Sequence, residues 1–201
     1  ISCFININTY TNGGISMTSI LRVDSIQTSS GGSATASGLG IGGTVGQIVS
    51  TTLSSTVSIS SSSTSNFVDI SGLSVNITPT STSSKIFIFY VVNASATSGT
   101  RHIRLMRDST AISIGDAAQG NQVRSTASAR PNSTVYDFDT ANMAGQFLDS
   151  PSTTSQITYK MQLTLGASYS GTAYINRTIS TGDADYVPVM QSTISVMEVL
   201  A

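Results

Sequence analysis

Residues Gln156–Leu165, QITYKMQLTL, decide the class of this chain. Ile157, Tyr159, Met161, Leu163 and Leu165 alternate with Thr158, Lys160, Gln162 and Thr164. Strict period-two alternation over such a length predicts a strand with one face buried and the other in water. A helix would instead scatter these apolar residues around its circumference. The pattern recurs outward from this stretch. NFVDISGLSVNITP, residues 66–79, sets Leu73, Val75 and Ile77 on one face and Ser74 and Asn76 on the other. Pro79, with no N–H to donate, closes that strand. RHIRLMRDSTAISIGD, residues 101–116, reads as two strands joined at Asp108-Ser109, whose side chains favour turns through local hydrogen bonds. YINRT (174–178) and STISVMEVL (192–200) supply two more strands. There is no long helical pattern, and the turn-rich spacing predicts an all-β sandwich or barrel.

KIFIFYVV, residues 85–92, differs from the rest. Ile86, Ile88, Tyr90 and Val92 line one face, yet Phe87, Phe89 and Val91 line the other. An antiparallel sandwich strand ordinarily hides a single face. At roughly 25 cal/mol per Å² of apolar area, two Phe rings left in water would forgo several kcal/mol. The second face therefore calls for a cover, either a neighbouring subunit or a loop of the same chain.

Composition narrows the function classes. Of 201 residues, 39% are hydrophobic and 9% charged, with a formal net charge of −1; globular domains usually carry about 25% charge. Ser and Thr, roughly a third of the chain, supply the polar surface instead. The nine Lys and Arg form no basic tract, which argues against nucleic-acid binding. No apolar run approaches the ~20 residues of a spanning helix, so no membrane insertion is expected. No signal-peptide pattern occurs either. Cys3 is the lone cysteine and cannot form an intramolecular disulfide.

Four regions follow. Gly13-Gly14 shortly before Met17 suggests that residues 1–16 are a translated leader or extension. Residues 17–28, MTSILRVDSIQT, form a short apolar segment, and 29–43, SSGGSATASGLGIGG, a flexible Gly/Ser linker. Together, 17–43 make an N-terminal arm with its linker, and 44–201 the β domain.

Enzymatic signatures are weak. Gly38–Gly43, GLGIGG, fits G-x-G-x-x-G, but a linker precedes it and a β-prone stretch follows, so a dinucleotide helix is not expected. His102 is the only histidine, lies between Arg101 and Arg104 in a strand, and no G-x-S-x-G elbow accompanies it. YDFDT and GDADY place Asp137/Asp139 and Asp183/Asp185 on common sides if extended. Paired carboxylates suit glycoside hydrolysis or calcium, although Asp beside Gly more often forms turns. Zinc lacks its Cys and His ligands. No catalytic, cofactor or metal residue is therefore assigned. Arg101 and Arg107 share one strand face and Arg104 the other, with Asp residues as the expected partners. Recognition loops are expected at Ala117–Ser133, with Arg124 and Arg130, and at GASYSG with Tyr169. The sequons at Asn76, Asn93, Asn132 and Asn176 follow from the abundance of Ser and Thr.

MTSILRVDSIQT, GQIVSTT (46–52), ITPTSTSSKIFIFYVV (77–92), RLMRDSTAISIGD (104–116), FLDSPSTTSQITYKMQL (147–163), YINRT and STISVMEV (192–199), in this order, resemble a family of phage virion structural proteins of marine-phage type, described as tail-fibre-like. The resemblance runs from Met17 to Val199, most specifically in DSPSTTSQITYK (149–160) and STISVMEV. The strand order is also similar to the trimeric jelly rolls of the C1q and tumour-necrosis-factor type. These resemblances imply a non-enzymatic virion component assembled in the host cytoplasm. They imply a jelly-roll β-sandwich that forms a homotrimer, contacts other virion proteins through the arm, and binds a host surface glycan or protein. A head fibre or capsid decoration protein, and a secreted adhesin or carbohydrate-binding module, stand as alternatives.

Overall fold

Alternating β-branched and aromatic residues favour the pleated, half-buried surface of a sheet, and the chain is all-β throughout the residues described. The structure, a computed structural model, describes residues 44–61, 66–116, 119–130, 137–166 and 171–200. The leader, the arm and linker, GLGIGG, Asn132 and Tyr169 lie outside the described residues. Eleven strands follow in order: β1 (Val45–Leu53), β2 (Val57–Ser61), β3 (Val68–Ile77), β4 (Lys85–Ala96), β5 (Arg101–Arg107), β6 (Thr110–Ile112), β7 (Ala127–Ala129), β8 (Ala141–Asp149), β9 (Ile157–Leu165), β10 (Gly171–Ile175) and β11 (Ser192–Val199).

One sheet runs β1-β11-β4, with β8 on the other edge of β4 and with β10 and β2 added where β4 extends past β11. The other runs β3-β9-β5, with β6 and β7 sharing the far edge of β5. Every pairing is antiparallel. Apart from the added β2–β10 pair, the chain is a doubled ribbon. β1 pairs with β11, β3 with β9, β4 with β8, and β5 with β6 and β7. A ribbon of four such pairs wrapped into two facing sheets is a jelly roll.

The alternation in β9 is realised: Ile157, Tyr159, Met161, Leu163 and Leu165 are all buried. Leu73, Val75 and Ile77 of β3 meet them from the same sheet, and Ile86, Ile88, Tyr90 and Val92 of β4 from the facing one. The turn at Asp108-Ser109 is present, with Asp108 at a φ of 51°. Thr164 departs from its expected place, being buried although it lies on the polar side of the alternation.

Three buried polar groups fasten the ends of the sandwich. Asn176 sits at a φ of 64°, which ends β10 two residues into YINRT. Its Nδ2 donates to the carbonyls of Leu53 (2.7 Å) and Ser55 (3.0 Å), and the Ser192 hydroxyl donates to its Oδ1 at 2.6 Å. Asp149 accepts from Arg107 at 2.9 Å and from the Tyr159 hydroxyl at 2.6 Å between the two sheets. Burial, followed by this bond to a carboxylate, raises the Tyr159 pKa. Glu198, fully buried, accepts from Gln47 Nε2 (2.7 Å), the Thr80 N–H (2.7 Å) and the Thr80 hydroxyl (2.8 Å). Burial would raise the Glu198 pKa, but these hydrogen bonds outweigh it and hold the carboxyl below its ordinary value.

Candidate functional site

Each sheet turns one face outward, and the two outward faces have different chemistry. On the β3-β9-β5 sheet, Lys160 Nζ binds Asp69 at 2.7 Å, and Gln162 Nε2 donates to the other oxygen of Asp69 at 2.7 Å. These bonds exceed the opposing effect of burial, so the Asp69 pKa is lowered. Arg104 lies on the same face, 3.7 Å above the Phe67 ring, and donates to the Arg124 carbonyl at 2.8 Å. His102 opposes Thr164 and Ser128. Burial lowers the His102 pKa, and its Nδ1 has no hydrogen-bond partner.

The outward face of the β1-β11-β4-β8 sheet carries one continuous apolar row beside rows of mixed character. Ile48 pairs with Met197, Met197 with Phe87, and Phe87 with Leu148, so one apolar row crosses all four strands. The next row is Ser50, Ser195, Phe89 and Gln146, and the one beyond is Thr52, Thr193, Val91 and Ala144. Phe87 and Phe89 pack edge to face with ring centroids 4.4 Å apart. Ile48 is 63% exposed, Leu148 47% and Phe89 40%. Among the described residues neither a loop nor a third layer covers these side chains.

The arginines divide as the alternation requires. Arg101 and Arg107 point between the sheets and Arg104 points outward. Arg107 pairs with Asp149, and burial lowers the Arg101 pKa while the charge of Asp139 opposes that shift. Arg104 differs from expectation, because it engages a ring and a carbonyl rather than an Asp. Arg124 Nε donates to the Gly115 carbonyl at 2.9 Å, and Arg130 is exposed. Part of the expected recognition loop is the short strand β7.

The two Asp-pair motifs, distant in sequence, meet at one end of the sandwich. The Ser180 N–H donates to the Asp137 carbonyl at 3.0 Å. The Phe138 and Tyr186 rings pack edge to face with centroids 4.6 Å apart. The motifs are turns rather than strands, so the common-side placement drawn from an extended backbone does not hold. Among the described residues no three acidic, His or Cys side chains converge to hold a metal. Nearby, Arg177 stacks 3.7 Å over the Tyr174 ring. The Phe138–Tyr186 contact could not be read from the sequence, because 48 positions separate the two rings.

Neither a protein-family model nor a curated protein matches the sequence. Among solved structures, the chain is similar to the VP2 protein of infectious bursal disease virus. A mutant VP2 in derived T=1 particles matches at 14% identity with a TM-score of 0.36, covering 77% of this chain and 36% of that one. A structure of the virus's Gx strain matches at 14% identity and 0.35, covering 77% and 42%. A VP2 subviral particle matches at 14% identity and 0.36, covering 77% and 41%. The chain thus spans less than half the length of each of these matched chains. A likeness at this TM-score assigns neither fold nor function.

Proposed function

We propose that this chain is a non-enzymatic structural protein of a phage virion, a homotrimeric tail-fibre component that binds the host cell surface. It assembles in the host cytoplasm and joins other virion proteins through residues 17–43. The observation that carries the reading is the apolar row Ile48–Met197–Phe87–Leu148 on a jelly roll whose other outward face is polar. Exposed apolar patches bounded by polar residues mark interaction sites. Covering the exposed part of Ile48, Leu148 and Phe89 contributes on the order of 1 kcal/mol per side chain, from the general cost of exposed apolar area. Lys85 is the single charged residue at the margin of these rows, so copies meeting here bring few like charges together.

Antibody against the full chain tests the reading. Gold-labelled antibody is expected on the tails of the phage particles that carry the protein, and the antibody is expected to block their adsorption. Label confined to heads, with adsorption unaffected, would instead assign the chain to capsid decoration.

A further inference from the structure

We infer that the loop end of the sandwich holds a binding site for neutral saccharides, built on the Phe138–Tyr186 pair. This site rests on the surface-binding reading above and gives it a ligand class. Phe138 is 43% exposed and Tyr186 60%, and their perpendicular packing presents two differently oriented aromatic surfaces to solvent. Contiguous apolar surface rimmed by polar residues marks interaction sites, and loops held by a rigid scaffold are where binding residues gather.

The support beneath the rings is built. The Ser180–Asp137 backbone bond ties the two segments together, and Val187 N–H to Ala184 carbonyl (3.0 Å) closes the turn that carries Tyr186. Met190 N–H donates to the Asn176 carbonyl at 3.0 Å, and Arg177 bridges to Val189, so the segment returns to the fixed Asn176 corner. Val189, 81% exposed, extends the apolar surface from that corner.

Charge selects the ligand. Asp137, Asp183 and Asp185 are exposed beside the rings in sequence, and no Lys or Arg occurs in residues 137–141 or 180–191. The nearby Arg177 guanidinium is engaged by Tyr174 and by the carbonyls of Thr178 (3.0 Å) and Ile179 (3.1 Å). Ionised carboxylates only accept hydrogen bonds. The complementary ligand therefore donates from hydroxyls, offers C–H faces to aromatic rings and carries no negative charge. Neutral sugars meet all three requirements; uronates, sialates and phosphorylated glycans fail the third.

The test is binding of the full chain to a printed panel of neutral and acidic oligosaccharides, confirmed in solution by calorimetry. Neutral members are expected to bind, with at least a tenfold loss for Tyr186→Ala and for Phe138→Ala, and retention for Tyr186→Trp. Leu148→Lys, on the sheet face, should leave the intrinsic affinity per chain unchanged. Equal binding by parent and Tyr186→Ala, or preference for acidic glycans or for amines, would overturn the site. If Tyr186→Ala still adsorbs to cells like the parent, the site is wrong and the surface-binding reading stands. If the parent binds neither cells nor any neutral glycan, both are overturned.

Discussion

The two outward faces of this jelly roll are made by the same backbone alternation and finished in opposite ways. Across β3, β9 and β5 the outward positions hold Asp69, Lys160, Gln162 and Arg104, which engage one another, nearby carbonyls or a ring. Across β1, β11, β4 and β8 one full row holds Ile48, Met197, Phe87 and Leu148, with Ser and Thr in the rows beside it. Exposed ion pairs add little stability, so the polar face is chiefly a solution to solubility. Among the described residues the apolar row has no such solution. In the proposed trimer this contrast would set the contact between copies on the face where Lys85 is the charged residue at the margin.

The largest expected effect removes what both faces share. Asp149→Ala strands Arg107 and the Tyr159 hydroxyl between the sheets, and breaking a buried pair of this kind costs about 3 kcal/mol. Urea unfolding should show a lower midpoint with an unchanged slope. Next, Leu148→Lys sets a charge in the apolar row. Association should weaken at least a hundredfold by sedimentation, while the thermal midpoint of the separated chain stays within a few degrees, since Leu148 is 47% exposed there. Full retention of assembly in this variant would erase the distinction between the faces.

Acid should act through Glu198. Its folded-state pKa lies below the ordinary value of 4.5, so its stabilising contribution is complete above that pH. The contribution is lost as the pH falls through the lower folded-state value. Glu198→Gln should flatten this part of the acid limb, and an unchanged limb would contradict the sign. The smallest effect is expected from Lys160→Ala. It cuts an exposed pair, costs no more than about 0.5 kcal/mol, and leaves assembly untouched.

How much of this was legible depends on how locally each feature is encoded. β9, β3, β4 and β11 announce themselves because each carries four or more alternating positions, and the core follows directly. β8, ANMAGQFLD, hides its pattern because its middle inward position is Gly145. A Cβ there would collide with the hydroxyl oxygen of Tyr90, directly across in β4. The cross-strand partner thus supplies the apolar bulk that the strand itself lacks. The two-faced character of KIFIFYVV was readable, whereas the row that continues it depends on the registers of β1, β11 and β8. Likewise, YDFDT and GDADY stood out as acidic pairs, but their rings prove to be the meeting point. Only the folded chain brings Phe138 to Tyr186.

The central claim is that the apolar outward face is covered by further copies of the chain. Light scattering of the full chain after size exclusion, at micromolar concentration, tests it most directly. The account predicts a mass three times that of the 20.8 kDa chain. A folded species with the mass of one chain would contradict it.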